Sequence, residues 1–416
     1  MGLRRRTDLR TSVHAPARLA SWRVHAPGWP VTPAAGRGIA AATAAPVWRR
    51  LMRRDSSGRL TPWETPLAAA RGTHVFPGSS ENLLLSEACP SIQYRTRKEL
   101  LHQGPSSARM RELQSRILED PLVRDVVGSR QPDGWLGDTF HGTGGIESGI
   151  RILCEKGIEP TNPVLRDALL ALERGTDRLS QGIGKVGAIL DDLGLGGSKL
   201  IRATVCSYAG VENRPFVQEQ VEGSLERLRA VVRVTEVDEI TETYRGKRVF
   251  RERAVWPCIY DLRLLSGTQS WRTGANMKLV VRAVRRLVDL SPIPEIHAKW
   301  KSQIVAPASF CMHEFDPALQ SLSPAGWFMW FHRMEVLARL GVVSGVAALR
   351  ERADQLRAMA QSSGGRFTVP LRHDYFRKWG AYTGLMLEPD WRKCTRRESD
   401  LTFRSLLILG KSGQVA

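Results

Sequence analysis

Apolar residues recur every three or four positions along most of the chain, the spacing that places them on one face of an α-helix. Ile146, Ile150 and Leu153 follow this spacing, and Gly157 is a typical residue to end such a helix. The pair Asn162-Pro163 predicts the start of the next helix, because Asn caps a helix and Pro fits its first turn. The short loop between them predicts an antiparallel helical hairpin.

Helix signals of the same kind continue toward the C-terminus. Thr273 and Ser323 are predicted N-caps, and Gly341 is the predicted end of the helix that follows Ser323. Residues 231–255 show a different pattern, with β-branched and aromatic residues around Gly246. This pattern predicts a small β-hairpin inserted among the helices.

The number of helix pairs indicates how they are arranged. Residues 86–416 supply about five to seven pairs at ordinary helix and loop lengths. A row of so many pairs either stacks as an open solenoid or closes on itself, and solenoids normally show a fixed repeat. No such repeat is visible, so the predicted fold is all-α, an α/α toroid. It would be a closed double-layered ring of helical hairpins with the β-hairpin as an insertion.

The N-terminal segment differs in composition from this predicted domain. Residues 1–54 are rich in Arg, Ala and Pro and lack a sustained apolar period, which predicts a disordered extension. Residues 55–85 are interpreted as a linker. Residues 1–84 contribute +9 of the formal net charge of +19. An organelle transit peptide and a later start codon at Met52 both explain this composition, and the sequence leaves the two open.

Composition excludes several other classes of protein. No apolar run approaches the roughly 18 residues of a membrane-spanning helix. The six cysteines are widely spaced without a Cys-x-x-Cys pair, which predicts reduced thiols in the cytoplasm rather than disulfides or a zinc knuckle. Within the predicted domain, Lys and Arg are interspersed with Glu and Asp, so nucleic acid is not a predicted partner.

A short motif gives a resemblance to a known family. The segment Gln131-Pro-Asp-Gly-Trp135, followed by Gly137, resembles the glutamine–tryptophan repeat of the squalene/hopene cyclase and protein prenyltransferase superfamily. Gly364-Gly-Arg-Phe367 resembles the same repeat more loosely, and the segment Cys89–Thr96 also looks like the corresponding segment of members of that toroid group. The resemblance implies a toroid fold with a central cavity for an isoprenoid. In that family the Gln and Trp clamp helix ends.

The catalytic signatures of that superfamily are absent at matching positions. Asp191-Asp192 follows Ile189-Leu190, so the first residue of an Asp-x-Asp-Asp acid motif is missing. The same pair lacks the third Asp of a magnesium-binding Asp-Asp-x-x-Asp motif. Cys258-Ile-Tyr-Asp261 reverses the order of the Asp-x-Cys zinc ligands. No cofactor is therefore predicted. Cys311-x-His313 with His332 or Asp261 could supply three ligands of a metal site, but this spacing is unspecific and predicts none.

Candidate site residues come from polar loops and from aromatic residues. Carboxylates and histidines in the loops would reach the middle of the ring, where they could serve acid–base chemistry. Aromatic faces there would stabilise a cationic intermediate or stack on a sugar. The predicted catalytic residues are Asp138, His141, Asp261 and Glu314. The predicted cavity-lining residues are Trp135, Trp256, Tyr260, His313, Trp330, His332, His373 and Trp379.

Three functions remain open at this point. The first is a prenyltransferase- or cyclase-like protein that binds an apolar or isoprenoid ligand in its central cavity, with catalysis undecided. The second is a carbohydrate-active enzyme that uses two carboxylates on a glycan. The third is a binding or scaffold protein without catalysis. Fold alone does not decide among them.

Overall fold

The computed structural model describes residue 80 and the ranges 82–309, 311–371, 384 and 386–413. A π-helical turn, Leu83–Glu87, precedes the first α-helix. The helices are α1 (Pro90–Arg95), α2 (Ala108–Ile117), α3 (Pro121–Gly128), α4 (Ile146–Lys156), α5 (Pro163–Arg174), α6 (Lys185–Asp192), α7 (Ser198–Tyr208), α8 (Pro215–Val231), α9 (Ile259–Gly267), α10 (Gly274–Asp289), α11 (Pro324–Leu340), α12 (Ala347–Ser362) and α13 (Cys394–Lys411). The strands are β1 (Thr241–Tyr244), β2 (Lys247–Phe250), β3 (His297–Trp300) and β4 (Gln303–Pro307).

The predicted helix caps are confirmed. The side chain of Asn162 accepts a hydrogen bond from Val164 N at the start of α5. Thr273 and Ser323 cap α10 and α11 in the same manner. Each cap satisfies a backbone N–H that the first helical turn leaves without a partner. Gly341 adopts a left-handed conformation with φ of 77° and ends α11 as predicted.

Contacts link six of the helices in succession. Helix α1 contacts α4, α4 contacts α7, α7 contacts α9, α9 contacts α11, α11 contacts α13, and α13 contacts α1. These six linked helices have buried residues on most sides. Seven of the nine residues of α9 are buried, whereas α8, which packs on the outside of α7 and α9, buries one face only.

A four-stranded mixed sheet accompanies the helices. Strands β1 and β2 form an antiparallel hairpin around Arg245-Gly246, within the interval that the sequence predicts. Strand β2 then pairs in parallel with β3 at Val249 and His297, and β3 pairs antiparallel with β4. The hairpin is therefore part of a sheet in the strand order β1-β2-β3-β4 and not an isolated insertion.

This sheet corrects the predicted fold class. The expectation of an all-α toroid is wrong, because the described residues combine a helix-rich body with a mixed sheet. Strands β3 and β4 are not predicted from the sequence, and they are only four and five residues long. Segments so short give almost no period-2 signal, and a parallel pair between distant strands has no local turn to reveal it.

Only the end of the predicted linker can be compared with the structure. The predicted extension 1–54 lies outside the described residues, as does most of the linker 55–85. Leu83 and Leu84, at the end of that linker, are fully buried in the π-helical turn. The packed core therefore begins a few residues before position 86.

The loop of the glutamine–tryptophan motif joins α3 to α4, and it contacts Arg178, which follows α5. Trp135 is buried, and the guanidinium carbon of Arg178 lies 4.0 Å from the centroid of its ring. Arg178 also donates a hydrogen bond of 3.2 Å to the side-chain oxygen of Gln131. Gln131 and Trp135 thus hold neighbouring helix ends together, a structural role.

Among the described residues, no helix combines the length and the apolar character that a membrane crossing requires.

Candidate polar cavity

A cavity of about 430 Å³ is lined by side chains from all six linked helices. The π-helical turn Thr96–Leu100, which continues α1, adds Lys98 and Glu99. Turns of this kind occur often at functional sites. One polar lining residue from each of the six helices, in chain order, is Arg95, Arg151, Tyr208, Arg263, His332 and Arg404. Only the folded chain brings these residues together.

Helical spacing explains how neighbouring residues reach the cavity. His332, Glu335 and Arg339 are three and four residues apart in α11, so they follow one stripe of that helix. Arg151 and Glu155 are four residues apart in α4 and also share a face. A short polar stripe on an otherwise buried helix is therefore enough to supply two or three lining groups.

A network of ion pairs forms one wall of the cavity. The carboxylate of Glu335 lies 2.5 Å from Arg404, 3.0 Å from Arg339 and 3.6 Å from Arg95. Glu99 pairs with Arg95 at 2.6 Å and with Arg339 at 2.7 Å. Burial favours the protonated form of Glu335, but the three guanidinium groups hold its pKa at about 2. Both carboxylates are therefore ionised and neutralised by arginine at neutral pH.

A glycine packs against a second ion pair of the lining. Arg151 donates to Glu155 at 2.7 Å, and Gly384 lies directly against this pair. Its φ is +66°, and a Cβ there would lie 2.2 Å from the carboxylate oxygens of Glu155. The carbonyl of Gly384 also accepts a hydrogen bond of 2.8 Å from Arg404. A side chain at position 384 would therefore be opposed by the backbone conformation and would displace the tips of Glu155 and Arg151.

Substitution of Gly384 tests this close approach. Gly384→Ala is expected to lower the free energy of unfolding by about 1–2 kcal/mol, because the left-handed conformation opposes a Cβ and the side chains of Glu155 and Arg151 would have to shift. Chemical denaturation measures the change. Gly104→Ala is the matched control, since no atom lies within 4 Å of its added carbon, and its change should stay within about 0.5 kcal/mol. Equal effects of the two substitutions would contradict the described packing.

His332 has a defined hydrogen-bonding state in this cavity. Its side chain is 4% exposed, and its Nε2 lies 3.0 Å from a terminal nitrogen of Arg263. A guanidinium group only donates hydrogen bonds, so Nε2 of His332 accepts. Burial, followed by the charge of Arg263, holds the pKa of His332 well below its ordinary value. The ring is therefore neutral, with its hydrogen on Nδ1, and Nδ1 has no hydrogen-bond partner among the described residues.

Tyr208, like Nδ1 of His332, supplies an open donor, meaning a buried hydrogen-bond donor without a partner among the described residues. Its hydroxyl is buried and makes no hydrogen bond within the described structure. Burial raises the pKa of Tyr208, so the hydroxyl keeps its hydrogen. The guanidinium carbon of Arg151 lies 5.6 Å from the centroid of the Tyr208 ring. Burying such a polar group without a partner costs free energy, so an open donor on a cavity lining is well placed to bind an acceptor atom of a ligand.

The charges of the described lining residues are unequal. Six side chains are basic: Arg95, Lys98, Arg151, Arg263, Arg339 and Arg404. Four are acidic: Glu99, Glu155, Glu159 and Glu335. The described lining therefore has a net positive charge in addition to its two open donors. This combination is complementary to an anionic group.

Of the predicted catalytic residues, Asp138, Asp261 and Glu314 lie away from this lining. Asp138 is exposed in its loop, and Glu314 accepts a hydrogen bond from the backbone of Asp316. The carboxylate of Asp261 is buried and accepts from Ser224, Arg227 and the backbone of Cys258. The contacts of Asp261 show a helix cap rather than an acid–base group.

His141 and Tyr260 share a partner that the sequence analysis did not single out. Both are hydrogen-bonded to the buried carboxylate of Glu147. His141 makes this bond through Nδ1, and the hydroxyl of Tyr260 donates to the carboxylate at 2.7 Å. Burial and then Glu147 raise the pKa of Tyr260 well above its ordinary value. Neither residue is on the cavity lining, although the ring of Tyr260 lies under Arg263.

The predicted aromatic lining occupies the core instead. Trp135, Trp256 and Trp330 are at most 3% exposed, and Trp330 makes edge-to-face contacts with its neighbours in α11. Nδ1 of His313 lies 3.1 Å from the carbonyl oxygen of Ile293, outside the lining. His373 and Trp379 lie outside the described residues. Among the predicted residues that are described, His332 alone is on the cavity lining.

The sequence contains a signal for the arginines that line the cavity. Arg151 stands between two isoleucines, Arg263 between two leucines, and Arg404 follows Phe403. Each is a charged residue inside a strongly apolar stretch of a helix. A buried arginine needs partners, so one such residue in each of several helices indicates a shared polar interior.

Comparison with known proteins gives no match: no family model, curated protein or solved structure was found to be similar to this chain.

Proposed function

We propose that the cavity binds a small organic anion, with a carboxylate or phosphate group held by Arg151, Arg263, Tyr208 and His332. The single observation that supports this most is the pair of buried, open donors at Tyr208 and His332. Arginine is the side chain best suited to such groups, because its planar fork matches two anionic oxygens at once. The cavity volume, about 430 Å³, lies within the range of ordinary small-molecule sites.

An anion would also relieve the repulsion among the basic groups of the lining. Arg151, Arg263 and Arg404 all act on the charge state of the same imidazole, that of His332, so they lie within electrostatic range of it. Arg151 and Arg404 are each paired with a carboxylate, but the basic side chains of the described lining still outnumber the acidic ones. A bound carboxylate or phosphate would offset this excess of positive charge and hydrogen-bond to the open donors.

The isoprenoid ligand expected from the family resemblance stays a prediction. The lining favours the charged end of such a molecule, since an isoprenoid diphosphate carries an anionic head group. A purely apolar ligand is less suited, because it would offer no acceptor to the open donors at Tyr208 and His332. The anionic group, and not the hydrocarbon, is therefore the part of the ligand that the proposal specifies.

Glycan hydrolysis is less well supported by the described lining. That chemistry needs one carboxylic acid that stays protonated beside a second, ionised carboxylate. Guanidinium groups hold the pKa values of Glu99 and Glu335 well below their ordinary range. Neither group is therefore suited to donate a proton to a leaving group.

The proposed location is the cytoplasm. All six cysteines are free thiols, four of them buried. This state suits a reducing compartment.

A ligand panel tests the proposed function. Thermal shift and titration calorimetry on the full chain would use sulfate, oxalate, succinate, inorganic phosphate, diphosphate, farnesyl diphosphate and a neutral disaccharide. At least one anion is expected to raise the melting temperature by several degrees, since a ligand at about 100 times its Kd adds about 2.7 kcal/mol. The neutral sugar is expected to leave it unchanged.

The panel also distinguishes the ligand classes. Preference for oxalate or succinate would indicate a carboxylate ligand, and preference for phosphate or diphosphate a phosphorylated one. A large gain for farnesyl diphosphate over diphosphate would support the isoprenoid prediction. If no anion shifts the melting temperature, or if the disaccharide alone does, the proposed function is wrong.

A further inference from the structure

The orientation of His332 restricts what this residue can do for a bound anion. Because Arg263 donates to Nε2, the acceptor nitrogen of the imidazole is already occupied. The other nitrogen, Nδ1, carries the hydrogen and is the buried open donor of the ring. His332 is thus placed as a hydrogen-bond donor and has no free acceptor with which to take a proton from a substrate.

The surroundings of His332 keep its ring in this state. Basic groups face it from three other helices, with Arg151 on α4, Arg263 on α9 and Arg404 on α13. Arg333 adds a fourth from its own helix. Burial and these four charges all oppose an imidazolium ion, so the pKa of His332 lies well below its ordinary value.

We propose that His332 recognises the anionic oxygen of the ligand as a neutral Nδ1–H donor, held in that tautomer by Arg263. This inference rests on the proposed anion-binding function and specifies which atom discriminates among ligands. An oxygen that accepts without donating, such as that of an ionised carboxylate, sulfate or phosphate, satisfies Nδ1–H. A ligand group that must donate a hydrogen bond at this point would leave two hydrogens facing each other.

Two substitutions of His332 separate its two nitrogens. His332→Asn places an amide nitrogen where Nδ1 stands and keeps the donor, while it gives up the contact with Arg263. His332→Gln places its amide where Nε2 stands, so it keeps an acceptor for Arg263 and loses the donor. Titration with oxalate and with sulfate should show about a tenfold loss of affinity or more in the Gln variant. The Asn variant should lose at most about threefold.

The dependence of binding on pH gives a second readout. Oxalate and sulfate keep the same charge between about pH 5.5 and 8, so any change in affinity comes from the protein. With a neutral donor at His332, the affinity is expected to stay flat across this range. An imidazolium ion would instead weaken binding as the pH rises through the ordinary histidine pKa of about 6.5.

Nitrogen NMR on the full chain labelled at histidine reports the tautomer without any ligand. The signals lost in His332→Asn are assigned to His332, and they are expected to show a protonated Nδ1 and an unprotonated Nε2 near neutral pH. A protonated Nε2, or an imidazolium ion, would overturn the proposal, and this readout does not need the Gln variant to fold.

The outcomes separate this inference from the function on which it rests. Binding of oxalate or sulfate to the unmodified protein, with equal affinity in the Gln variant, would overturn the role of His332 and leave anion binding intact. Absence of binding by every anion of the panel would remove the proposed function itself.

Discussion

Arg263→Met is expected to weaken binding of the tightest-binding anion of the panel by about 30- to 100-fold. The substitution removes a charge-assisted hydrogen bond, worth about 1.5–3 kcal/mol, and one of the positive charges of the cavity. It also removes the donor that keeps Nε2 of His332 occupied, so the imidazole is free to change tautomer. Methionine is chosen because it retains the length and apolar character of the arginine stem. Titration calorimetry measures the loss of affinity directly.

Arg282→Met is the control for Arg263→Met. Arg282 is exposed on α10 and is not one of the lining residues. Its loss should change the affinity by less than about twofold, since an exposed charge is screened by salt. The melting temperatures of both variants serve as a check that each is folded. Wild-type affinity in a folded Arg263→Met variant would show that the anion binds elsewhere.

Glu335→Gln is expected to lower the free energy of unfolding by about 3–5 kcal/mol, the largest change in stability predicted for this protein. The carboxylate lies between Arg95, Arg339 and Arg404, and its removal leaves buried guanidinium groups without their counter-charge. A pKa held at about 2, against an ordinary value of 4.5, corresponds to about 3 kcal/mol by linkage, which agrees with that range. Chemical denaturation at neutral pH measures the change.

The pH dependence of this effect has a defined sign. The folded pKa of Glu335 is depressed, so its contribution to stability is fully present above the unfolded value of 4.5. That contribution is lost as the pH falls through the folded pKa near 2. The difference between wild type and Glu335→Gln should therefore shrink as the pH is lowered from about 5 toward 2.

Glu226→Gln is the matched control for Glu335→Gln. Glu226 forms an ion pair with Arg229 on the surface of α8, where their side chains are 67% and 43% exposed. An exposed pair contributes little, so this change should stay within about 0.5 kcal/mol at every pH. Equal losses for the two substitutions would contradict the buried network around Glu335.

The helices could be predicted from the sequence because their signals are local. The cap at Asn162 and the left-handed end at Gly341 each involve a few neighbouring residues, and both are found where the sequence places them. The sheet could not be predicted in the same way. Its parallel pair joins Val249 to His297, and nothing near either residue indicates a partner so distant in the chain.

The candidate site could be predicted only in part for a related reason. Charged residues on a helix usually face solvent, so Arg151, Arg263 and Arg404 were not distinguished from the many exposed arginines of this chain. Their burial depends on which helix faces contact one another. Asp261 shows the opposite case, since a conspicuous acid near a loop serves to cap α9 and hold Arg227.

His332 shows what the sequence indicates when a polar residue lies within an apolar pattern. It stands among the aromatic residues of α11 and is the one described lining residue that was predicted. Trp330, two positions earlier, was predicted to line the cavity as well, but it packs against Trp327 and Phe331. Aromatic side chains contribute most to stability when they are buried in the core, whereas a buried imidazole needs a polar neighbour to hydrogen-bond with.

A crystal structure of the protein with the tightest-binding anion of the panel would show directly whether an anion occupies this cavity. We expect the anion within the cavity, with its oxygens about 2.7–3.2 Å from His332 Nδ1, the Tyr208 hydroxyl and Arg263. An anion bound at another surface, while these donors contact only water, would contradict this binding site.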